Sequence, residues 1–432
     1  MRHTWLCLFL FKERIMSRIE AAIITIGDEL LIGQVVDTNS AWIAQRLTEA
    51  GINVRLRLAV GDTKEAITEA LDEVWLKATL IIVTGGLGPT SDDITKPLLC
   101  SYFGGKLVVS DKVTEHLKGL FAARNRTLTP RNLKQAEVPD NCRVLFNRMG
   151  TAPGMWFDKN DRVVIALPGV PFEMKSIMTE EALPLIKERF AGENIVHKTL
   201  MTAGEGESNI ADKLTGFEAG LPPHISIAYL PDGSFVRLRL TARGNDTAAL
   251  EAEVAALQQN MAGILGKIVL STNAAPVEQL LGEALRAAGA TMGTAESCTG
   301  GYIGHCITQV PGASAYFMGS VVSYDNSIKS AVLGVAGDTL AQHGAVSSET
   351  VREMAEGAIR LLGVNYTLAV SGVLGPDGGT DRSPVGTVWM AVSDGSNTVT
   401  KMFSFFYDRE RNKEMAAKNG MLFLLKYITG TL

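Results

Sequence analysis

Short apolar runs alternate with amphipathic helical stretches in two separate parts of this 432-residue chain, and no other feature restricts its fold as strongly. In the first part, Ala21–Ile26 reads as a strand and Asn39–Ala50 as a helix with Trp42, Ile43 and Leu47 on one face. Val54–Val60, Lys64–Trp75 and Thr79–Val83 continue as strand, helix and strand. This alternation specifies a parallel sheet with right-handed crossovers. Ligands of such sheets gather at the carboxyl ends of the strands. Gly27-Asp28-Glu29 and the loop from Thr84 through Gly85, Gly86, Gly88 and Pro89 to Asp92 and Asp93 fall at those ends. The half closes with the apolar run Val163–Leu167 and a sharp Pro168-Gly169 turn into a helix.

From about His197 to Lys267 the texture changes. Lys198–Ala203, Glu207–Thr215, Ser234–Ala242 and Thr247–Ala262 predict a small α+β module. Within it, Phe235, Arg237 and Arg239 alternate with Val236, Leu238 and Leu240, so the first set is expected on a solvated face. After a polar boundary at Ser271–Pro276 the helix–strand alternation resumes. Val277–Ala288, Thr291–Ala295, Gly301–Gln309, Tyr316–Ser323, Ser348–Leu362 and Tyr366–Val370 predict a second α/β domain. Domains are expected over 18–190, 191–268 and 274–432, with residues 1–17 an extension outside the fold. The apolar run Trp5–Phe11 is short and lacks a following small-residue cleavage site, so Met16 is expected to be the start rather than a signal peptide to precede it. No segment approaches transmembrane length.

With 46% hydrophobic and 20% charged residues the chain reads as globular rather than disordered. A net charge of −5 argues against general nucleic-acid binding, which needs a basic surface. Its five cysteines are odd in number and contain no C-x-x-C pair, and its six histidines are scattered. Neither a disulfide framework nor a zinc site is suggested, and a reducing cytoplasm fits.

Two places carry chemistry. In Thr294-Ala295-Glu296-Ser297-Cys298-Thr299-Gly300-Gly301 a hydroxyl stands beside paired glycines, and Tyr324 and Lys329 follow downstream. A serine needs a base to take its proton, and a lysine serves when burial lowers its pKa. Tyr324 is placed to pass or orient that proton. The plainer alternative, which spacing alone favours, has Ser297 capping a helix near Thr299 and Lys329 solvated. Cys298 is a rival nucleophile, and the residues do not decide between the two. Gly375-Pro376-Asp377-Gly378-Gly379-Thr380 offers amides to a phosphate or ribose, or is a surface turn. In the N-terminal half, Asp28, Glu29, Asp92 and Asp93 beside Gly85, Gly86 and Gly88 suggest a divalent cation bridging a bound diphosphate.

Gly27-Asp28-Glu29-Leu30-Leu31 with Gly33 and Asp37-Thr38-Asn39, then Thr84–Thr95 and Leu167–Met174, resemble the CinA family of competence/damage-inducible proteins. Its first domain is similar to the molybdopterin-binding domains of molybdenum-cofactor biosynthesis. Ala295–Gly301, Tyr324 with Lys329, and Gly375–Thr387 resemble that family's nicotinamide mononucleotide deamidase domain. The resemblance spans nearly the whole chain after Met16.

It implies an α/β architecture in three parts: a molybdopterin-binding-like parallel-sheet domain, a KH-like α+β module and an α/β deamidase domain. It implies hydrolysis of the nicotinamide mononucleotide carboxamide to nicotinic acid mononucleotide and ammonia. Ser297 would be the nucleophile or water-orienting hydroxyl, Lys329 the general base and Tyr324 its helper. Thr299, Gly300 and Gly301 would border the substrate, with backbone amides near Gly300 stabilising the oxyanion. Gly378, Gly379 and Thr380 would hold the ribose phosphate, with Arg409 at a phosphate-gripping turn. The N-terminal domain would be an ADP-ribose pyrophosphatase with a metal near Asp28, Asp92 and Asp93, cobalt or magnesium with potassium assistance; the deamidase domain would need no cofactor. The partners implied are small nucleotides and a second copy in a homodimer; the net negative charge and the lack of a basic G-x-x-G loop in the KH-like module argue against nucleic acid, and no membrane partner is expected. The family's Gly-Asp-Arg turn reads here Tyr407-Asp408-Arg409, with Lys413 where a second arginine is usual, and lysine lacks the bidentate fork. Leucine in some members where this chain has Cys298 demotes the thiol. A silent deamidase domain, or a non-catalytic pterin- or nucleotide-binding protein, are the alternatives.

Overall fold

A computed structural model describes residues 19–90, 92–190 and 194–432. The expected extension and the Met16 start lie outside the described residues. By contact the described chain forms two compact units, one with residues up to His197 plus Thr241–Val254, the other with Lys198–Leu240 plus Ala255–Leu432.

The first unit is built on β1 (Glu20–Ile26), β2 (Asn53–Val60), β3 (Leu80–Thr84), β6 (Arg143–Leu145), β7 (Gly154–Lys159) and β8 (Arg162–Leu167), in the order β2-β1-β3-β8-β7-β6. A separate short ribbon pairs β4 (Leu107–Val109) with β5 (Glu137–Pro139). β1 and β3 are Ile/Val-rich and buried on both faces, as strands in the middle of a covered sheet must be. One face is packed by α1 (Thr38–Glu49) through Ile43 and Leu47. The other is packed by α2 (Lys64–Trp75) and α3 (Thr95–Tyr102) through Ile67, Leu71, Val74, Leu98 and Leu99. The strands β2, β1, β3 and β8 are parallel as expected, and β7 and β6 extend the sheet in antiparallel pairing. β7 and β8 run antiparallel across a tight hairpin whose Asn160 and Asp161 both take positive φ, 53° and 59°. That turn geometry matches strand twist, and Asn and Asp tolerate it better than most residues.

The middle segment has β9 (Asn194–Ala203), α4 (Glu207–Ala219), β10 (Ile225–Asp232), β11 (Phe235–Gly244), α5 (Thr247–Leu265) and β12 (Val269–Ser271), with sheet order β10-β11-β9-β12. Arg237 is exposed as expected, but Phe235 is buried. Its end of β11 packs into the C-terminal core with Ala203, and that contact overrides the alternation.

The C-terminal sheet comprises β13 (Met292–Glu296), β14 (Phe317–Val322), β15 (Tyr366–Gly372), β16 (Thr387–Ser393) and β17 (Thr398–Ser404), ordered β14-β13-β15-β16-β17. The first three are parallel and the last two antiparallel. α6 (Val277–Ala287), α7 (Tyr302–Thr308) and α10 (Arg409–Ile428) cover one face. α9 (Ser348–Leu362) and Leu333 of α8 (Asn326–Leu333) cover the other. In both α/β sheets the chain leaves the first strand to one flank and returns on the other. The crevices beyond β1/β3 and β13/β15 are therefore switch points, where neighbouring loops diverge and leave room for a ligand. No helix among the described residues is long and apolar enough to cross a membrane.

Candidate functional site

Ser297 follows directly from β13 at the C-terminal switch point, and its amide donates to Val370 O across the crevice at 3.0 Å. The turn after it is held from inside by Glu296, which is fully buried. One carboxylate oxygen accepts from Thr299 Oγ1 (2.8 Å), Gly301 N (3.0 Å) and Ile303 N (3.0 Å). The other accepts from Gly304 N (2.9 Å), Ser320 Oγ (3.0 Å) and Thr294 Oγ1 (3.2 Å). An anion placed on the free N–H groups of a helix N-terminus satisfies them and complements the helix dipole. Glu296 thus caps α7, and Ser297 does not; its hydroxyl makes no hydrogen bond among the described residues. The helix N-cap is Gly301, with φ 94°, a left-handed conformation that suits glycine.

Lys329 is not solvated: it is 1% exposed. Its Nζ donates to Ser323 O at 2.9 Å and Tyr324 O at 3.1 Å. Burial lowers its pKa from the ordinary lysine value, against the smaller opposing pull of Asp325 and Cys298. A neutral amine has two N–H groups, and these two carbonyls accept both, which leaves the lone pair as the unengaged direction. The Cys298 thiol is buried and pushed up to about 12 by that burial, which removes it as a nucleophile near neutral pH.

Three further placements differ from expectation. Tyr324 supports Lys329 through its backbone carbonyl, while its phenol accepts from Arg409 Nη2 at 3.1 Å, so the hydroxyl is directed to the arginine rather than the lysine. Thr299 is buried with its hydroxyl on Glu296, so that hydroxyl secures the turn. The amides near Gly300 are occupied: Gly300 N donates to Ser297 O and Gly301 N to Glu296. The amides of Cys298 and Thr299 lie against the Cys298 sulfur instead. Arg409 also donates to Gly375 O at 2.7 Å, joining Tyr324 to the base of the exposed loop that carries Gly378, Gly379 and Thr380. Thr380 closes a turn with Ser383 inside that loop.

At the N-terminal switch point a cavity of about 140 Å³ is lined by Thr25, Glu29, Asp37, Asn39, Thr84 and Gly169, among others. Asp37 caps α1. Burial opposes its ionisation, but hydrogen bonds from Ser40 and Thr25, with Arg57 nearby, outweigh burial and lower its pKa. Gly85 is buried, and a Cβ there would strike Ile26 O; one on Gly86 would strike Thr95 Oγ1. Asp28, Glu29 and Asp92 all act on Asp62, whose pKa is raised, chiefly by burial. Asp93 folds back onto Gly88 and accepts from Thr90 N at 2.9 Å, and Asp28 accepts from Asp62 N at 3.2 Å. The expected ligand trio Asp28, Asp92 and Asp93 is not assembled. Among the described residues no three His, Cys, Asp or Glu side chains are grouped to hold a metal ion, because Asp28 and Asp93 are turned onto neighbouring backbone amides.

Three family descriptions match the chain in series: "Probable molybdopterin binding domain" over residues 22–188, "Damage-inducible protein CinA KH domain" over 197–269 and "CinA C-terminal domain" over 274–428. A CinA-like protein of Cytophaga hutchinsonii is 45% identical over 93% of this chain and 96% of its own length. The chain belongs to the CinA family. Another CinA-like protein, of Flavobacterium psychrophilum, is 40% identical over 95% of this chain and 98% of its own. A solved CinA superfamily protein from Klebsiella pneumoniae is 34% identical, covering 36% of this chain and 96% of its own, with a TM-score of 0.35.

Several positioning residues of this CinA family member were not legible in the sequence. Glu296 reads there as one more strand residue, and only its burial beside a helix start shows its task. Asn412, fully buried, donates to Leu374 O (3.0 Å) and Tyr407 O (2.9 Å), fixing the base of the glycine loop to the Tyr407-Asp408-Arg409 turn. Asp62 follows β2 and meets Asp28 only because β1 and β2 are neighbours. A capping pattern reveals Asp37 and Asp408, but the contacts of Asp62 with Asp28 and of Asn412 with Leu374 are long-range. Lys413 lies 5.3 Å from the Tyr302 ring centroid, a cation–π contact.

Proposed function

We propose that the C-terminal domain hydrolyses the carboxamide of nicotinamide mononucleotide to nicotinic acid mononucleotide and ammonia. The observation that carries this reading is Lys329: a buried lysine with both N–H groups of its neutral form on the carbonyls of Ser323 and Tyr324, which follow the strand paired with the one that Ser297 ends. Lys329 takes the Ser297 proton as Oγ bonds to the carboxamide carbon, and the carbonyl π pair moves to oxygen. Collapse breaks the C–N bond, and the proton on Lys329 leaves with ammonia. Water then attacks the ester, gives a proton to Lys329, and the C–Oγ bond breaks as Ser297 is reprotonated. Arg409, Tyr324 and the Gly378–Thr380 loop are the groups for ribose and phosphate. The test is ammonia release with chelator present: wild type turns over, Lys329→Ala does not. No release by folded wild type would overturn the reading.

The carboxylates around Asp62 favour a second reading for the N-terminal domain, hydrolysis of the ADP-ribose pyrophosphate with a divalent metal. Their mutual repulsion is what a cation would relieve. The described residues as placed do not form a ligand set. Metal-dependent hydrolysis that is lost in Asp62→Asn supports it, and hydrolysis unaffected by chelation sinks it.

A further inference from the structure

Ser323 is fully buried, and its hydroxyl has no hydrogen-bond partner. Buried hydroxyls are ordinarily paired, so an orphan one beside a reactive site calls for a reason. Its backbone is tied on both sides: its amide donates to Glu296 O at 2.8 Å and its carbonyl accepts from Lys329 Nζ at 2.9 Å. The parallel register pairs Glu296 with Val322, so Ser297 and Ser323 are the next residues on neighbouring chains, where strands stand about 4.8 Å apart. The orphan hydroxyl thus belongs to the residue that holds the base and adjoins the one that carries the nucleophile.

When Lys329 takes a proton it gains a third N–H, and both carbonyls that hold it already have one each. We propose that Ser323 is a positioning residue whose hydroxyl turns to accept this third N–H, stabilising the ammonium form of Lys329 after it has taken the Ser297 proton. A change of χ1 rotamer moves the hydroxyl without backbone movement. Among the described residues no side chain accepts a hydrogen bond from Lys329 Nζ, whose two partners are both backbone carbonyls. Asp325 is occupied by Ser327 at the start of α8, and Cys298 is a poor acceptor. On the packed helix α9, Glu353 is bound to Ala336 N and Thr339, and Arg360 lies against Gly334.

The catalytic consequence rests on the amidohydrolase reading, but the proton affinity of Lys329 does not. In full-length protein carrying lysine labelled with carbon-13 at the ε position, the Lys329 signal is assigned by its loss in Lys329→Met and titrated. Removing a hydrogen bond to a charged group is worth about tenfold in its acid constant. Ser323→Ala therefore lowers the Lys329 midpoint by about one pH unit, and Ser323→Thr restores it. If Ser323→Ala melts early, the isosteric pair Ser323→Thr and Ser323→Val carries the comparison. With nicotinamide mononucleotide as substrate, Ser323→Ala lowers kcat about tenfold at unchanged KM and moves the acid limb of the profile down. An unmoved midpoint in Ser323→Ala or Ser323→Val overturns the proposal, whatever the turnover. Absent turnover in wild type with a shifted midpoint overturns only the functional reading.

Discussion

Glu296→Gln isolates the part of the C-terminal site that is pure architecture. The carboxylate accepts six hydrogen bonds, three from backbone amides that have no other partner. Glutamine keeps one acceptor oxygen and brings one NH2. If the NH2 replaces the oxygen serving Gly301 and Ile303, two amides face a donor. If it replaces the other, only Gly304 does, while the Thr294 and Ser320 hydroxyls turn to accept. The second orientation is favoured and leaves one buried N–H unpaired, a cost of about 1–3 kcal/mol. Loss of charge assistance in the two remaining amide bonds adds about 1 kcal/mol each, for a total of about 3–5 kcal/mol. At about 2–4 °C per kcal/mol for a domain of this size, the C-terminal transition falls by about 6–20 °C in differential scanning calorimetry. Ammonia release falls with it, since Ser297 stands on the turn that Glu296 holds. A variant that melts within about 2 °C of wild type would refute the assignment of Glu296 as the cap of α7.

Lys96 donates to Glu137 O, Lys134 O and Gln135 O, and burial pushes its pKa down to about 8. Between about 8 and the ordinary value of 10.5 the unfolded chain holds a proton that the folded one lacks, so stability rises with pH by at most about 1.4 kcal/mol per unit; Lys96→Met flattens that slope in urea titrations between pH 8 and 10.5. Arg409→Ala frees both Tyr324 and the glycine loop, and is expected to raise KM for nicotinamide mononucleotide about tenfold with kcat within about threefold in steady-state kinetics. Cys298→Ala retains kcat/KM within about threefold, because a thiol held at about 12 is not the nucleophile; inactivation would transfer that role to sulfur.

The sequence by itself determined the elements and the loops that end them. Alternating apolar runs and amphipathic helices marked β1, α1, β2, α2 and β3 to within a few residues, because burial on a sheet or helix face imposes its own period on the residues that form it. The same local signals placed Gly85–Gly86 and Ser297 at strand ends. Tertiary structure alone decided what meets there. Strand order puts β13 between β14 and β15, which brings Ser323 and Val370 to Ser297, and no periodicity encodes strand order. Burial, a property of the assembled core, removed the solvated alternative for Lys329, which the sequence had left open beside the candidate base, and made Glu296 a cap. It also turned Phe235 inward and engaged Thr299, Asp28 and Asp93 with partners of their own. A side chain's chemistry follows from its environment, and that environment is made of residues far away in the chain.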